Sequence, residues 1–279
     1  MEPVKLKQKI AYLYLSIVPF LTAALGFGVG HISYKIYLPV WIINVILMLA
    51  SAWVLGLHFI RKADKEKKQH AFTGFALMIP WILLSVLFGF GALPETISAW
   101  VASATEQQIR YSILVIAGVF IALGFALLKE KLATTEGGFY ATMGFTAVMI
   151  AIPLFIINMI FWGFYLTEFF TILTKEGLEK MPEWSAPVRK LFSLLSVAEV
   201  ALTYMAIAAF ALALKAAGWF RKTPVWIYIS VSVFAFLVII LSVFSPEPFI
   251  TAGFAVSIPA IPFIMPYFMG INLLKRLQK

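Results

Sequence analysis

Long apolar runs, separated by short basic turns, set the pattern of this chain. Eight stretches of bilayer length are nearly free of charge: about 10–30, 37–60, 71–93, 110–128, 139–166, 191–214, 224–244 and 249–274. A helix rises about 1.5 Å per residue, so about 20 apolar residues cross a hydrocarbon layer about 30 Å thick. None of the runs shows the in-out alternation over about ten residues that marks a barrel strand. Hydrocarbon offers the backbone no hydrogen bonds, and a helix satisfies its own. The pattern predicts an all-α integral membrane protein, a bundle of eight transmembrane helices forming a single transmembrane domain over residues 1–279. The first run is longer than the roughly 7–15 residues of a signal-peptide core, so it is expected to be an uncleaved first span.

The basic residues then orient the bundle. With the N-terminus on the cytoplasmic side, Lys5 to Lys9, Arg61 to Lys68, Lys129 to Lys131, Lys215 to Lys222 and Lys275 to Lys279 fall inside. Lys35, Arg110, Lys175, Lys180, Arg189 and Lys190 fall outside. The ratio is 16 to 6, the asymmetry expected of cytoplasmic loops. It places both the N- and C-termini in the cytoplasm, and a bacterial cytoplasmic (inner) membrane is the expected location. The longest connection, Thr167 to Lys190, carries Phe170, Leu173, Leu178, Met181 and Trp184 at roughly helical spacing against Lys175, Glu176, Glu179, Lys180 and Glu183. That spacing predicts one external amphipathic helix between spans five and six, lying on the bilayer surface as a lid or a surface for a partner.

Composition sharpens the class. The chain is 62% hydrophobic and 13% charged, against roughly 45–50% and 25% in soluble domains. The formal charge of +9 is spread over turns beside spans and lacks the context of an RNA-binding module, so nucleic acid is not an expected partner. No cysteine is present, which excludes disulfides, thiolate metal sites and cysteine nucleophiles. The three histidines, His31, His58 and His70, have no His-x-x-His or Glu-x-x-His spacing, so no metal and no cofactor is expected. A phosphate-binding Gly-x-x-x-x-Gly-Lys-Ser/Thr loop and a Gly-x-Ser-x-Gly elbow are both missing. The single aspartate, Asp64, rules out Asp-rich metal-diphosphate motifs.

One acidic residue interrupts the interior of a span. Glu199 lies about nine residues, roughly 13 Å, into the sixth helix, where a charge costs on the order of 3 kcal/mol. Ser196, Glu199, Thr203 and Ala206 follow three- and four-residue steps, giving one face of small and polar groups. In one reading this face is a proton or cation site, or an anchor for a polar substrate. In the other, a protonated Glu199 is an interhelical hydrogen-bond donor within a packing seam. Asn44, Ser51 and His58 form a thinner stripe on the second helix. Asn44 is a candidate partner for Glu199, and His58 a weak candidate proton relay. Asn158 in the fifth span reads as packing glue. In the eighth span Pro259, Pro262 and Pro266 each remove a helix hydrogen bond, which predicts a kinked or partly unwound helix of the kind found at transporter sites.

These features point to a small-solute or ion-coupled (proton or cation) carrier, with Glu199, Ser196, Thr203, Asn44, Pro259 and Pro262 around its site. The alternative is a non-catalytic membrane subunit or sensor docking a membrane partner protein through the external loop. A lipid-processing enzyme comes third, for want of a nucleophile, an acid–base pair or a metal set.

Overall fold

The computed structural model describes residues 3–62, 64–178, 180–245 and 247–278. Glu179 and Lys279, which entered the loop pattern and the charge ratio, lie outside them. Among the described residues every regular element is helical. The α-helices are α1 (Pro3–Val29), α2 (Tyr34–Ala52), α3 (Phe59–Lys62), α4 (Lys65–Leu84), α5 (Ile97–Ala102) and α6 (Ala104–Leu132). They continue as α7 (Gly138–Ile160), α8 (Leu166–Lys175), α9 (Ser185–Ala216), α10 (Lys222–Phe244), α11 (Phe249–Ser257) and α12 (Ala260–Arg276). Among the described residues, seven segments are long and apolar enough to cross a membrane. An eighth is a broken pair, α11 and the following helix, bent by 44°. These apolar helices are compatible with a polytopic membrane protein.

Helix α9 packs between α7 and α10, and α4 packs between α12 and α6, while α6 joins the two groups through α7. One apolar core runs through α4, α6, α7, α9, α10 and α12, and a second ties α1 and α2 to α4 and α12. Large apolar side chains such as Ile42, Ile46, Phe234 and Leu237 stay exposed, as a lipid-facing surface requires. Where α4 crosses α12 the backbones nearly touch. A β-carbon built on Gly74 would lie 3.0 Å from the Gly270 carbonyl oxygen, so the pair meets through small residues.

Two departures from the sequence pattern have local causes. The second span is not a straight helix over 37–60. Trp53–Leu57 forms a π-turn, and Gly56 takes φ 153° where the carbonyl group of Leu274 presses against it. The kink takes His58 out of line with Asn44 and Ser51. The Val54 carbonyl accepts from Gln278 Nε2 at 2.8 Å, so the break is tied to the end of the chain.

The amphipathic stripe over Thr167–Lys190 is not one helix. Its first part, α8, prolongs the fifth span through a π-turn at Phe161–Tyr165, making a 38-residue apolar segment. At 1.5 Å per residue that is about 57 Å, longer than the bilayer core. Gly177, at φ 73°, ends α8: the amide of Gly177 donates to the Thr174 carbonyl at 3.1 Å and that of Leu178 to the Leu173 carbonyl at 2.9 Å. This is the glycine cap that satisfies the last carbonyls of a helix. Phe170 and Leu173 are buried, with Phe170 edge-on to Trp100 at 5.7 Å, so they serve the core rather than a free surface. Trp184 remains 60% exposed.

Candidate functional site

Glu199 is buried, with 4% of its surface exposed. Its Oε1 accepts from Asn158 Nδ2 of α7 at 3.2 Å. The expected partner, Asn44, is elsewhere: it accepts from the Tyr14 hydroxyl at 2.7 Å and its Nδ2 faces the Met48 sulfur at 3.6 Å. The physical reason is placement, since α2 packs at the edge against α1 and α4 while α9 lies between α7 and α10. Asn158, read from the sequence as packing glue, is the residue that meets the carboxyl group.

The pair is short of donors. Glu199 Oε2 and Asn158 Oδ1 are both buried without a hydrogen-bond partner among the described residues. Leaving a buried acceptor unmet costs about 1–3 kcal/mol. One proton on the carboxyl group turns an acceptor into a donor and gives acid and amide matching hydrogen-bonding groups. A single water is the other simple remedy. Thr203 supplies neither, because its hydroxyl donates to the Glu199 backbone carbonyl at 2.8 Å.

Beside this pair the eighth span breaks. Ile258 adopts an extended ψ of 120°, and α12 starts after Pro259, whose missing N–H costs nothing at a helix start. The freed backbone groups find partners. The Val256 carbonyl accepts from the Tyr204 hydroxyl at 2.9 Å, and the Ile258 carbonyl accepts from the Ile261 amide at 2.8 Å. Ser257 Oγ donates back to the Phe254 carbonyl at 2.8 Å. Tyr204 is fully buried, so it pins the break to α9, between the turns that carry Glu199 and Phe210. Sequence reasoning passed over it. The available signal was a tyrosine in an apolar helix, since a buried phenol hydroxyl needs a partner.

Glu199, Thr203, Ser257, Pro259 and Pro262 line one crevice, closed by Ile152, Phe155, Val200 and Phe263. It leaves about 10 Å³ for the centre of a water-sized sphere, room for roughly one water. Of the six residues expected at the site, four meet here. Ser196 is half-buried on the same helix but not in the lining, and Asn44 is remote. His58 is also remote: its Nδ1–H donates to the Trp53 carbonyl at 2.8 Å inside the kink of the second span. Among the described residues no three His, Asp or Glu side chains converge as metal ligands.

A larger crevice of about 720 Å³ lies between residues 31–38, 86–90 and 102–109. It includes none of the expected site residues. Comparison with protein-family models, curated proteins and solved structures finds no match to this chain.

Proposed function

We propose that this polytopic membrane protein is a proton-coupled carrier in which the Glu199–Asn158 pair takes up and releases the proton beside a broken eighth span. The observation that carries this reading is the donor deficit: two buried acceptors, Glu199 Oε2 and Asn158 Oδ1, face no donor among the described residues. A proton fills that deficit with the least rearrangement. The crevice is too small for a solute, so any co-transported molecule binds in a conformation in which α11 has moved away from α9. The reading takes the N- and C-termini as cytoplasmic, from the lysine and arginine asymmetry.

A second reading has its own support. Glu199 is buried and bonded to a neighbouring helix, as in a packing seam, and this favours a non-catalytic membrane subunit or sensor. In that case the exposed part of the loop around Trp184 is the available docking surface for a membrane partner.

Glu199→Gln separates the two readings. The amide keeps the bond to Asn158 and removes titration. In proteoliposomes with a potassium diffusion potential and a pH-sensitive dye, the wild type is expected to move protons and E199Q to lose that movement at unchanged thermal stability. Equal fluxes, or no flux above empty vesicles for the wild type, would favour the packing role.

A further inference from the structure

A second group of polar side chains lies at the basic end of the bundle. It is built around Trp219, which follows α9. Gly218 at φ 68° turns the chain there, with the Trp219 amide donating to the Leu214 carbonyl at 2.9 Å and the Gly218 amide to Lys215 at 3.0 Å. This cap fixes the indole at the end of the helix. His70 of α4 approaches the indole at 4.7 Å between ring centroids, and the Arg276 guanidinium of α12 lies over it at 4.4 Å. Lys131, in the last turn of α6, acts electrostatically on His70, as does Arg276. His70 and Arg276 thus meet at one indole, and Lys131 of a third helix acts on His70.

The charges do not balance. Glu66 is the acidic group that acts on both His70 and Arg276. The carbonyl ends of α6 and α12 add partial negative charge for the residues of their last turns. Arg276 Nη1 is nonetheless buried with no acceptor among the described residues. His70, Lys131, Trp219 and Arg276 are all half-buried, at a depth that a headgroup can reach. Basic crevices between spanning helices favour anionic headgroups, and a planar guanidinium is suited to a phosphate.

We infer that His70, Lys131 and Arg276, grouped around Trp219, bind the phosphodiester of an anionic phospholipid at the basic face of the bundle. The indole stacks on the guanidinium, and a turn of the half-buried Arg276 side chain brings Nη1 to the phosphate, which supplies the acceptor it lacks. The site is separate from Glu199 and stands whether or not that residue carries protons.

The test uses the purified full chain in neutral detergent with added phosphatidylglycerol, phosphatidylcholine or inorganic phosphate. Melting is followed alongside native mass spectrometry of retained lipid. Phosphatidylglycerol is expected to raise the melting temperature and to remain bound, whereas phosphatidylcholine is not. In the double variant K131Q/R276Q retention should fall about thirtyfold, two basic groups near a membrane surface each being worth a factor of about five. The exposed Lys222→Gln should retain lipid as the wild type does. Equal stabilisation by both lipids, or by inorganic phosphate as well as phosphatidylglycerol, would overturn the assignment to an anionic lipid. The lipid comparison on the wild type decides the matter even if the double variant fails to fold.

Discussion

Replacing Tyr204 with phenylalanine isolates the hydroxyl that ties the broken span to α9. The ring is fully buried and stays in place, so no cavity opens and the transfer term is small. What is lost is the 2.9 Å bond to the Val256 carbonyl, next to the unwound residues. A net hydrogen bond is worth about 1 kcal/mol, and an orphaned buried acceptor costs about 1–3 kcal/mol. Interhelical bonds in bilayers average about 0.6 kcal/mol with an upper range near 1.7, which pulls the value down. The expected loss is about 1–2 kcal/mol, roughly five- to thirtyfold in the equilibrium it controls.

The equilibrium concerned is the docking of α11 as well as global unfolding. The chain has no cysteine, so Val256→Cys places a single thiol on the side of α11 that packs against the core, where docking shields it from labelling. Tyr204→Phe should speed labelling of that thiol and lower stability in mixed micelles by the same free energy. Tyr204→Leu, which also removes the ring, should be worse. If Y204F leaves both labelling and stability within about 0.3 kcal/mol of the wild type, half an average interhelical bond, the hydroxyl does not hold the break.

Gly270→Ala should destabilise by about 1–3 kcal/mol as an overpacked contact, because its β-carbon would lie 2.9 Å from Met78 Cγ and meet the Gly74 carbonyl group; unchanged melting would refute the close crossing of α4 and α12. Asn44→Leu should weaken the seam of α1 and α2 through Tyr14 yet leave any proton flux as in the wild type; a flux defect at normal stability would return Asn44 to the site. Asp64 caps α4 by accepting from the Lys67 amide at 2.8 Å, and that bond holds its carboxyl below the ordinary carboxylate range. Its stabilisation is present above that range and lost as pH falls through the lowered value. Asp64→Ala should therefore quicken amide exchange in the first turn of α4 at neutral pH and have no effect once the wild-type carboxyl is protonated.

How much could be read in advance differs by residue. Glu199 was visible because hydrocarbon penalises a carboxyl group wherever the fold puts it. The proline break was visible because a missing N–H is a local fact. Their meeting in one crevice followed from both needing protein rather than lipid around them. The partner of Glu199 was not legible, since periodicity shows which residues share a face but not which helices are neighbours; Asn44 and Asn158 look alike on that basis. His58 was misplaced because a straight helix was assumed through Gly56, whose φ of 153° sits where the Leu274 carbonyl group approaches, a tertiary fact that periodicity does not show. The loop after span five was misread for a local reason. Gly177 stops α8, and a stripe drawn through it joined two helices that the chain keeps apart.

The distribution of unmet groups bears on which ion the crevice suits. An unwound span exposes carbonyls, and carbonyls near a carboxylate suggest a metal cation. Here the break has largely answered its own needs: Val256 through Tyr204, Ile258 through the Ile261 amide, Phe254 through Ser257. The deficit lies instead between α7 and α9, on one carboxyl oxygen and one amide oxygen. A hard cation such as calcium takes about six to eight oxygens, and the crevice has room for roughly one water. A proton needs a single acceptor and no space. Transport driven through Glu199 should then follow a pH gradient and ignore sodium, and a sodium requirement at fixed pH would mean that the break opens far more widely than its hydrogen bonds imply.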